Sequence, residues 1–393
     1  MAKRRAKDSM KNAKKSRVDS AGPVVPKAPQ NAKPSAPIQL SDIPFSLPFP
    51  VFKQVFGSLS PADIMRFILS STTSFNFLHN SLKVPATRIV FNNNITNGFV
   101  IFIETPNHNP CTIEIRSKRR REEVTEKLWG RAANIPIGRY STDWLRLVYD
   151  KCHDARVVAM EMSKFVLNVF KTTNIDLKSY GTKKDNDVFP FVRGVRSFGK
   201  VAISWHTPGS VNLEKLQWFL ETMSADAMRL EVFLPRIKYT GAINKRILKT
   251  SYASWLTGES LLNMNCEILI ASGTRLTTTD LNVFVNEWQT NMDKLGNLEL
   301  IHIGQHDRFP IDPEELKLEK WPPRGEYPDN IEVLNPENTW FCRRGDMLAT
   351  LELCDDNVVM FCVWHEKYLT KEANHHSEPK RVGRLWNERH LLY

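Results

Sequence analysis

The chain has 393 residues, 41% of them hydrophobic, and carries 54 lysines and arginines against 43 aspartates and glutamates, a formal charge of +11. That length supplies one large or two ordinary cores. Its longest unbroken apolar run, Val358 to Trp364, is far short of the roughly 20 residues that span a bilayer, so no membrane span is expected. Cys111, Cys152, Cys266, Cys342, Cys354 and Cys362 are scattered without a C-x-x-C pair, which argues against a disulfide framework or a zinc ribbon and for a reducing compartment.

Most of the charge sits at the N-terminus. Within residues 1–40, Lys3, Arg4, Arg5, Lys7, Lys11, Lys14, Lys15, Arg17, Lys27 and Lys33 stand against Asp8 and Asp19, a net of +8 that leaves +3 for the other 353 residues. The remainder is near balance, and the electrostatic case for a DNA-binding domain largely disappears. This stretch has no aromatic residue before Phe45 and contains Pro23, Pro26, Pro29, Pro34 and Pro37. Residues 1–41 are therefore expected to be a disordered, basic, Pro-rich tail. No apolar stretch follows its basic residues, so a secretion signal is not expected. Lys3-Arg4-Arg5 and Lys14-Lys15 around a short polar spacer have the form of a bipartite nuclear localisation signal, although a solvated tail fits the same residues. The expected location is intracellular, cytoplasmic and/or nuclear.

Residues 42–84 read as a compact helical module. Val51, Phe52, Val55, Phe56 and Leu59 recur at helical spacing and form one apolar stripe, with Lys53, Gln54 and Ser58 off it. Pro48 and Pro50 suit an entry turn. Ser60 is placed to cap the next helix, Pro61 fits its first position, and Asp63 completes a capping-box pattern. Ile64, Phe67, Ile68 and Leu69 supply a second apolar face, and Phe75, Phe77, Leu78 and Leu82 a third. This is more apolar surface than about 40 residues hide among themselves, which implies a partner. At Leu47-Pro48, the Val51–Phe56 helix, Leu59-Ser60-Pro61-Ala62-Asp63-Ile64, Leu69 and Leu78, the chain resembles the F-box of SCF-type ubiquitin ligases, in its nematode form. Pro50, Ser70, Thr72-Thr73 and the lack of a tryptophan near Ser74 depart from the usual pattern. The resemblance implies adaptor contacts through Leu47, Pro48, Val51, Phe52, Val55, Phe56, Leu59, Pro61, Ile64 and Leu69. A small helical bundle docked on the chain's own core fits the same residues.

Beyond the module, Arg88-Ile89-Val90-Phe91, Phe99 to Ile103 and Cys111 to Ile115, punctuated by Asn92 to Gly98 and Pro106 to Pro110, predict an antiparallel β meander over 85–125. Arg116 to Arg121 is a basic run without interleaved aromatics, closed by Glu122 and Glu123, and reads better as a solvated loop than as a phosphate site. Over 126–393 the pattern becomes irregular βα repeats. Trp144, Leu145, Val148 and the apolar residues from Val157 to Phe170 read as a helical region. Strands are expected at Asn174 to Tyr180, Lys200 to Trp205, Met228 to Leu234, Cys266 to Ile270 and Leu298 to Ile303. Helices are expected at Leu213 to Met223 and around Leu281, Phe284, Val285 and Trp288. Strand starts near 174, 200, 228, 266 and 298 suit an open, curved sheet with helices on one side, somewhat like a leucine-rich repeat.

Trp255-Leu256-Thr257, Leu261-Leu262, Met264-Asn265-Cys266, Leu276-Thr277, Asp280-Leu281-Asn282, Phe284, Trp288 and Leu298 resemble the type-2 F-box-associated domain found downstream of nematode F-boxes. Arg343-Arg344-Gly345-Asp346, Ala349-Thr350-Leu351 and Met360 to Trp364 echo it. Thr278 stands where that family often has Asn, which bears on the cap of a helix beginning near Thr279. Phe284 and Trp288 fit either buried packing, the favoured reading, or binding hot spots. Cys152-His153, His302-x-x-x-His306 and His375-His376 lack a second ligand pair, so no metal site is expected. No P-loop, G-x-G-x-x-G, H-E-x-x-H or G-x-S-x-G motif occurs, and Asp355-Asp356 and Asp185-x-Asp187 lie beside turn formers. The expectation is an α+β or α/β chain that is not an enzyme and needs no cofactor, with the helical F-box at 42–84 and the associated domain at 85–393. The resemblance implies a substrate receptor that binds a Skp-family adaptor and, through it, a cullin scaffold, and recruits an unidentified target protein without membrane or nucleic acid. The alternative is a nuclear interaction protein outside a ligase, or a nucleic-acid-associated protein using the basic tail.

Overall fold

The computed structural model describes residues 48–70, 83–94, 98–117, 127–128, 133–134, 144–149, 155–181, 195–206, 211–305, 313–320, 336–355 and 358–364. The chain divides into two compact units, Met1–Ser46 and Leu47–Tyr393, and every described residue belongs to the second. The basic tail with its import pattern, Leu47, the third expected helix at Phe75 to Leu82, Lys118 to Arg121, Cys152-His153, Asp185, Asp187, His306 and His375-His376 lie outside the described residues.

Two ten-residue helices open the described chain, α1 (Phe49–Ser58) and α2 (Pro61–Ser70). Pro50 falls inside the first turn of α1 rather than in an entry turn, a position where a missing N–H costs no intrahelical bond. The Ser60 hydroxyl oxygen accepts from the Asp63 amide at 3.1 Å while its O–H donates to the Asp63 carboxylate at 2.7 Å, and Arg66 donates to that carboxylate at 2.9 Å. The start signal legible in Ser60-Pro61-x-Asp63 is thus the one that forms.

Among the described residues the strands are β1 (Val84–Pro85), β2 (Arg88–Asn94), β3 (Gly98–Thr105), β4 (His108–Ser117), β5 (Lys127–Leu128), β6 (Ala133–Asn134), β7 (Trp144–Tyr149), β8 (Phe170–Lys171), β9 (Ile175–Gly181), β10 (Phe198–Trp205), β11 (Ala225–Val232), β12 (Ile247–Thr250), β13 (Ile268–Thr274), β14 (Leu300–Gln305), β15 (Glu319–Lys320), β16 (Thr339–Arg344), β17 (Met347–Asp355) and β18 (Val358–Trp364). Between them lie α3 (Ala155–Val169), α4 (Leu213–Gln217) running into a π-turn (Trp218–Thr222), α5 (Gly258–Leu262) and α6 (Thr278–Thr290). Fourteen strands form one mixed sheet in the order β15-β16-β17-β18-β14-β13-β12-β11-β10-β9-β2-β3-β4-β7. Seven of them, β2 and β9 to β14, are hydrogen-bonded in parallel, and β9 to β14 neighbour one another in chain order. The fold is α+β, with antiparallel pairs on both sides of a parallel centre and one further parallel pair, β4 and β7, at an end of the sheet.

A single register row shows where the core sits. Ile113, Ile101, Phe91, Leu177, Val201, Met228, Leu248, Leu269, Ile301, Phe361 and Leu351 face one another across eleven successive strands, and each is buried. Helices cover this face. Phe219 of the π-turn meets Trp205 edge-on at 6.0 Å, and Phe284 and Trp288 of α6 meet Phe361 at 5.5 and 5.2 Å. At the other end α2 packs against β3 and β4, and α3 against β4. Because side chains alternate along a strand, the next register over points away from these helices.

Three expectations need correction. Trp144–Tyr149 is strand β7, parallel to β4, not the start of a helix; a short apolar run of this kind does not distinguish strand from helix by periodicity. The 38-residue gap read between the strands at 228 and 266 hides β12, whose four residues pair with β11 at Ala227↔Ile247 and with β13 at Ile247↔Ile268. The true spacing there is 20 and 21 residues. Only the short α5 lies in these two crossings, and isolated bridges, Tyr239↔Leu256 and Ile243↔Met264, tie one crossing to the other. Third, α6 begins at Thr278, one residue before the expected start, so that its cap is Thr277 and not Thr278. Thr277 and Asp280 form a reciprocal capping box, with Thr277 N donating to the Asp280 carboxylate at 2.7 Å and Asp280 N donating to the Thr277 hydroxyl at 3.2 Å.

Candidate protein-binding face

The face of the sheet turned away from the helices changes character along its length. Toward β14 to β18 it is apolar and buried, with Ile268, Ile270, Leu300, Met360, Cys362 and Trp364 in one cluster. Over β9 to β12 it is mostly polar and half-buried. Tyr180, Ser204 and Glu231 are register partners near the C-terminal ends of β9, β10 and β11. One step toward the N-termini, Lys178, Ala202, Arg229 and Lys249 form a second row.

The Glu231 carboxylate organises this area. Arg229 donates to it from Nε at 2.9 Å and from Nη2 at 2.5 Å, and the Ser251 hydroxyl donates at 3.3 Å. Partial burial acts to raise its pKa, but the hydrogen bonds from Arg229, Ser204 and Ser251 outweigh it and hold the carboxyl below its ordinary range. Burial raises the Tyr180 phenol, with the Arg229 charge opposing. Beside this pair three rings gather. His206 meets Tyr252 at 5.6 Å and Phe233 meets Tyr252 at 6.3 Å, both edge-on. Phe233 and Tyr252 remain 40% and 41% exposed. Exposed aromatics with polar tips beside a pre-formed charge pair provide contact area at low entropic cost, the make-up of protein-binding surfaces.

The opposite rim, at the strand N-termini, is closed by ties between neighbouring turns. Arg246 makes a two-bond contact with Asp226 at 2.6 and 2.8 Å and a third bond to Glu267 at 3.0 Å. These contacts raise the Arg246 pKa and lower that of Asp226. Asn297 donates to Asn265 at 3.0 Å one turn further on.

The expected adaptor residues divide by position. Phe56, Pro61 and Ile64 are buried within the chain, with Phe56 edge-on to Phe67 at 5.0 Å. Val51 is 44% exposed, Pro48 is exposed, and Val55 and Leu59 are half-buried. The side chains of Phe52 and Leu69 lie outside the described residues. Part of the apolar excess that the sequence assigns to a partner is therefore covered by β3 and β4, since Ala62, Ile64, Met65, Phe67 and Ile68 of α2 are all buried. Phe284 and Trp288 are core residues, 1% and 0% exposed, and not binding hot spots. Among the described residues no three His, Cys, Asp or Glu side chains converge as metal ligands, the five cysteines form no disulfide, and no helix is long and apolar enough to cross a membrane.

Sequence reasoning passed over Tyr180, His206, Phe233 and Tyr252, because three of them sit at or beyond strand ends where no periodicity marks them. The signal available was the alternation Lys178-Ser179-Tyr180, polar residues facing out from a strand whose neighbours Leu177 and Ser179 are buried.

Comparison with known proteins places part of this region. Residues 240–303, from the turn before β12 through α6 into β14, match the family model described as F-box associated. No curated protein and no solved structure matches the chain. The matched segment supplies Lys249, Ser251 and Tyr252 to the polar face.

Proposed function

We propose that this chain is a non-catalytic substrate receptor of an SCF-type ubiquitin ligase. The observation that carries the reading is a segment at 240–303 that matches the F-box associated family model, lying downstream of a helix pair, Phe49–Ser58 and Pro61–Ser70, whose sequence resembles an F-box. In this reading a Skp-family adaptor docks on the helix pair and links it to a cullin scaffold, and the sheet holds a target protein. Leu47, Pro48, Val51, Phe52, Val55, Leu59 and Leu69 make contact, while Phe56, Pro61 and Ile64, buried within the chain, support the helices from behind. Packing of α2 on β3 and β4 joins the adaptor site to the sheet. The chain contributes proximity: a target held on the sheet presents its lysines to the conjugating enzyme at raised effective concentration. The basic tail, with Lys3, Arg4, Arg5, Lys14 and Lys15, serves nuclear import.

Co-purification with a Skp-family adaptor tests this. Wild-type chain retains the adaptor, and the Leu47→Ala, Pro48→Ala double variant and Val51→Asp lose it. Failure of wild type to retain the adaptor, or equal retention by the variants, rejects the reading.

A further inference from the structure

We infer that the rim at the C-terminal ends of β11 to β13 takes a short acidic segment of a target protein, its carboxylates on Arg236, Lys238 and Arg275 and one apolar side chain against Phe233 and Tyr252. This deepens the substrate-receptor reading by naming the kind of segment held, and it rests on that reading only for its biological setting. Residues 233–239, 252–256 and 272–276 lie side by side where these strands end. The Ser254 hydroxyl donates to the Leu234 carbonyl at 3.4 Å, Tyr239 N to the Trp255 carbonyl at 2.8 Å, and Ala253 N to the Ser272 carbonyl at 2.9 Å. Arg275 reaches past the middle stretch, its Nη1 donating to the Pro235 carbonyl at 3.3 Å, which sets its guanidinium beside Arg236. Arg236, Lys238 and Arg275 are exposed, and among the described residues none of the three is in an ion pair. Residues 232–240, 250–257 and 272–279 contain no aspartate or glutamate. At the N-terminal rim, by contrast, Arg246 is answered by both Asp226 and Glu267. Like charges gathered without partners complement an anionic ligand, and the carboxyl ends of parallel strands are where open sheets of this kind bind ligands.

The same rim carries exposed rings. Phe233 and Tyr252 open two of the three stretches, meet edge-on at 6.3 Å and remain exposed, and His206 stands edge-on to Tyr252 at 5.6 Å. They offer an apolar side chain a place beside the cations. Carboxylates bound the positive strip on both sides. Glu231, held by Arg229, lies two residues before Phe233. On the helix side the Thr257 hydroxyl donates to the Tyr239 carbonyl at 2.6 Å, and just beyond it stand the exposed Glu259 and the Asp280 carboxylate, which lies against Gly258. A strip so bounded suits a short run of anionic groups, which the planar forks of Arg236 and Arg275 match in geometry when they are carboxylates. A long phosphate track would run into the flanking carboxylates, so a nucleic acid fits less well.

The test is a fluorescence anisotropy titration of the full-length chain. The probe is a short fluorescein-labelled peptide that alternates glutamate and serine around one central phenylalanine, and a control peptide has serine in place of the phenylalanine. Arg236→Glu with Arg275→Glu is expected to weaken binding at least about tenfold, and wild-type affinity to fall as salt rises, as for exposed charges. Tyr252→Ala, or loss of the phenylalanine, is expected to weaken it severalfold, in keeping with an aromatic anchor. Arg236→Gln with Arg275→Gln removes charge without introducing repulsion and is expected to give an intermediate loss, with thermal melts reporting that each variant is folded. Lys164→Glu, an exposed position on α3, is expected to leave affinity unchanged. Affinity that persists in the folded rim variants belongs to the basic N-terminal residues and overturns the inference. So does an equal loss in Lys164→Glu, or tighter binding of a uridine oligonucleotide that the rim variants weaken. Adaptor co-purification from the same preparations keeps the two readings apart. A chain that retains the adaptor but ignores the acidic probe loses this inference alone, and a chain that binds the probe without the adaptor loses only the ligase reading.

Discussion

Removing Arg344 should loosen the end of α6 and the antiparallel strands beyond it. Arg344 closes β16 and is 2% exposed. Its Nη1 donates to the Lys294 carbonyl at 2.8 Å and reaches the Trp288 and Asn291 carbonyls at 3.5 Å, and its guanidinium lies 5.0 Å from the centre of the Trp288 ring. A cation thus sits where the carbonyls at the C-terminus of α6 concentrate negative partial charge, the favourable end for it. A hydrogen bond from a charged donor contributes about 1.5–3 kcal/mol, more when its loss strands buried carbonyls. The desolvated cation–π contact adds about 1–2 kcal/mol. Against these stands the cost of burying the guanidinium, which lowers its pKa; Nε finds no partner among the described residues. The net expected for Arg344→Ala is a loss of about 1–2 kcal/mol, after the ion's desolvation is set against the contacts. Urea unfolding followed by tryptophan fluorescence reads this as a lower midpoint at unchanged slope, which separates a stability change from a change in the denatured state. Arg344→Lys, with one point charge in place of a planar fork, should fall between the two. An unchanged midpoint for Arg344→Ala, or a raised one for Arg344→Met, would refute the reasoning by showing that desolvation cancels the bonds.

Two further outcomes follow from the matched segment. Thr277→Ala removes the hydroxyl that accepts from Asp280 N and should cost about 1 kcal/mol, read as a lower melting temperature, whereas Thr277→Ser should be nearly neutral. Lys245, buried and donating to the carbonyls of Leu220 at 2.8 Å and Asn244 at 3.0 Å, is held down to a pKa of about 8 by desolvation, with the neighbouring Cys266 opposing. Between that value and the ordinary lysine range the unfolded chain binds the extra proton, so this group's contribution to stability rises with pH above about 8 and is lost as pH falls through it. Urea midpoints measured from about pH 7.5 to 9.5 should climb in wild type and flatten in Lys245→Met; equal slopes in the two proteins would dismiss the linkage.

How much of this was legible in the sequence depended on the range of the interaction involved. Ser60-Pro61-x-Asp63 announced α2 because a cap is made within four residues, and the same holds for the α6 periodicity of Leu281, Phe284, Val285 and Trp288. The strands at 175–181, 198–205 and 300–305 were readable from their β-branched and aromatic content. Ile247–Thr250 was not, since four residues carry too little pattern to stand out and the strand exists only because β11 and β13 flank it with free hydrogen-bonding edges. Trp144–Tyr149 likewise becomes a strand through its pairing with β4.

The candidate site divides in the same way. The apolar character of Val51, Phe56 and Ile64 was written in the chain, but which of them is buried was decided when α2 found β3 and β4. A hydrophobic stripe specifies that something covers it, not what, because burial of apolar surface is non-directional. Lys178, Arg229 and Lys249 are isolated charges in the sequence, separated by 51 and 20 positions. Only parallel pairing in register brings them onto one row and sets Phe233, Tyr252 and His206 beside them. Local chemistry chose the helices and most strands of this protein, while the polar face over β9 to β12 arose from the long-range order of its sheet.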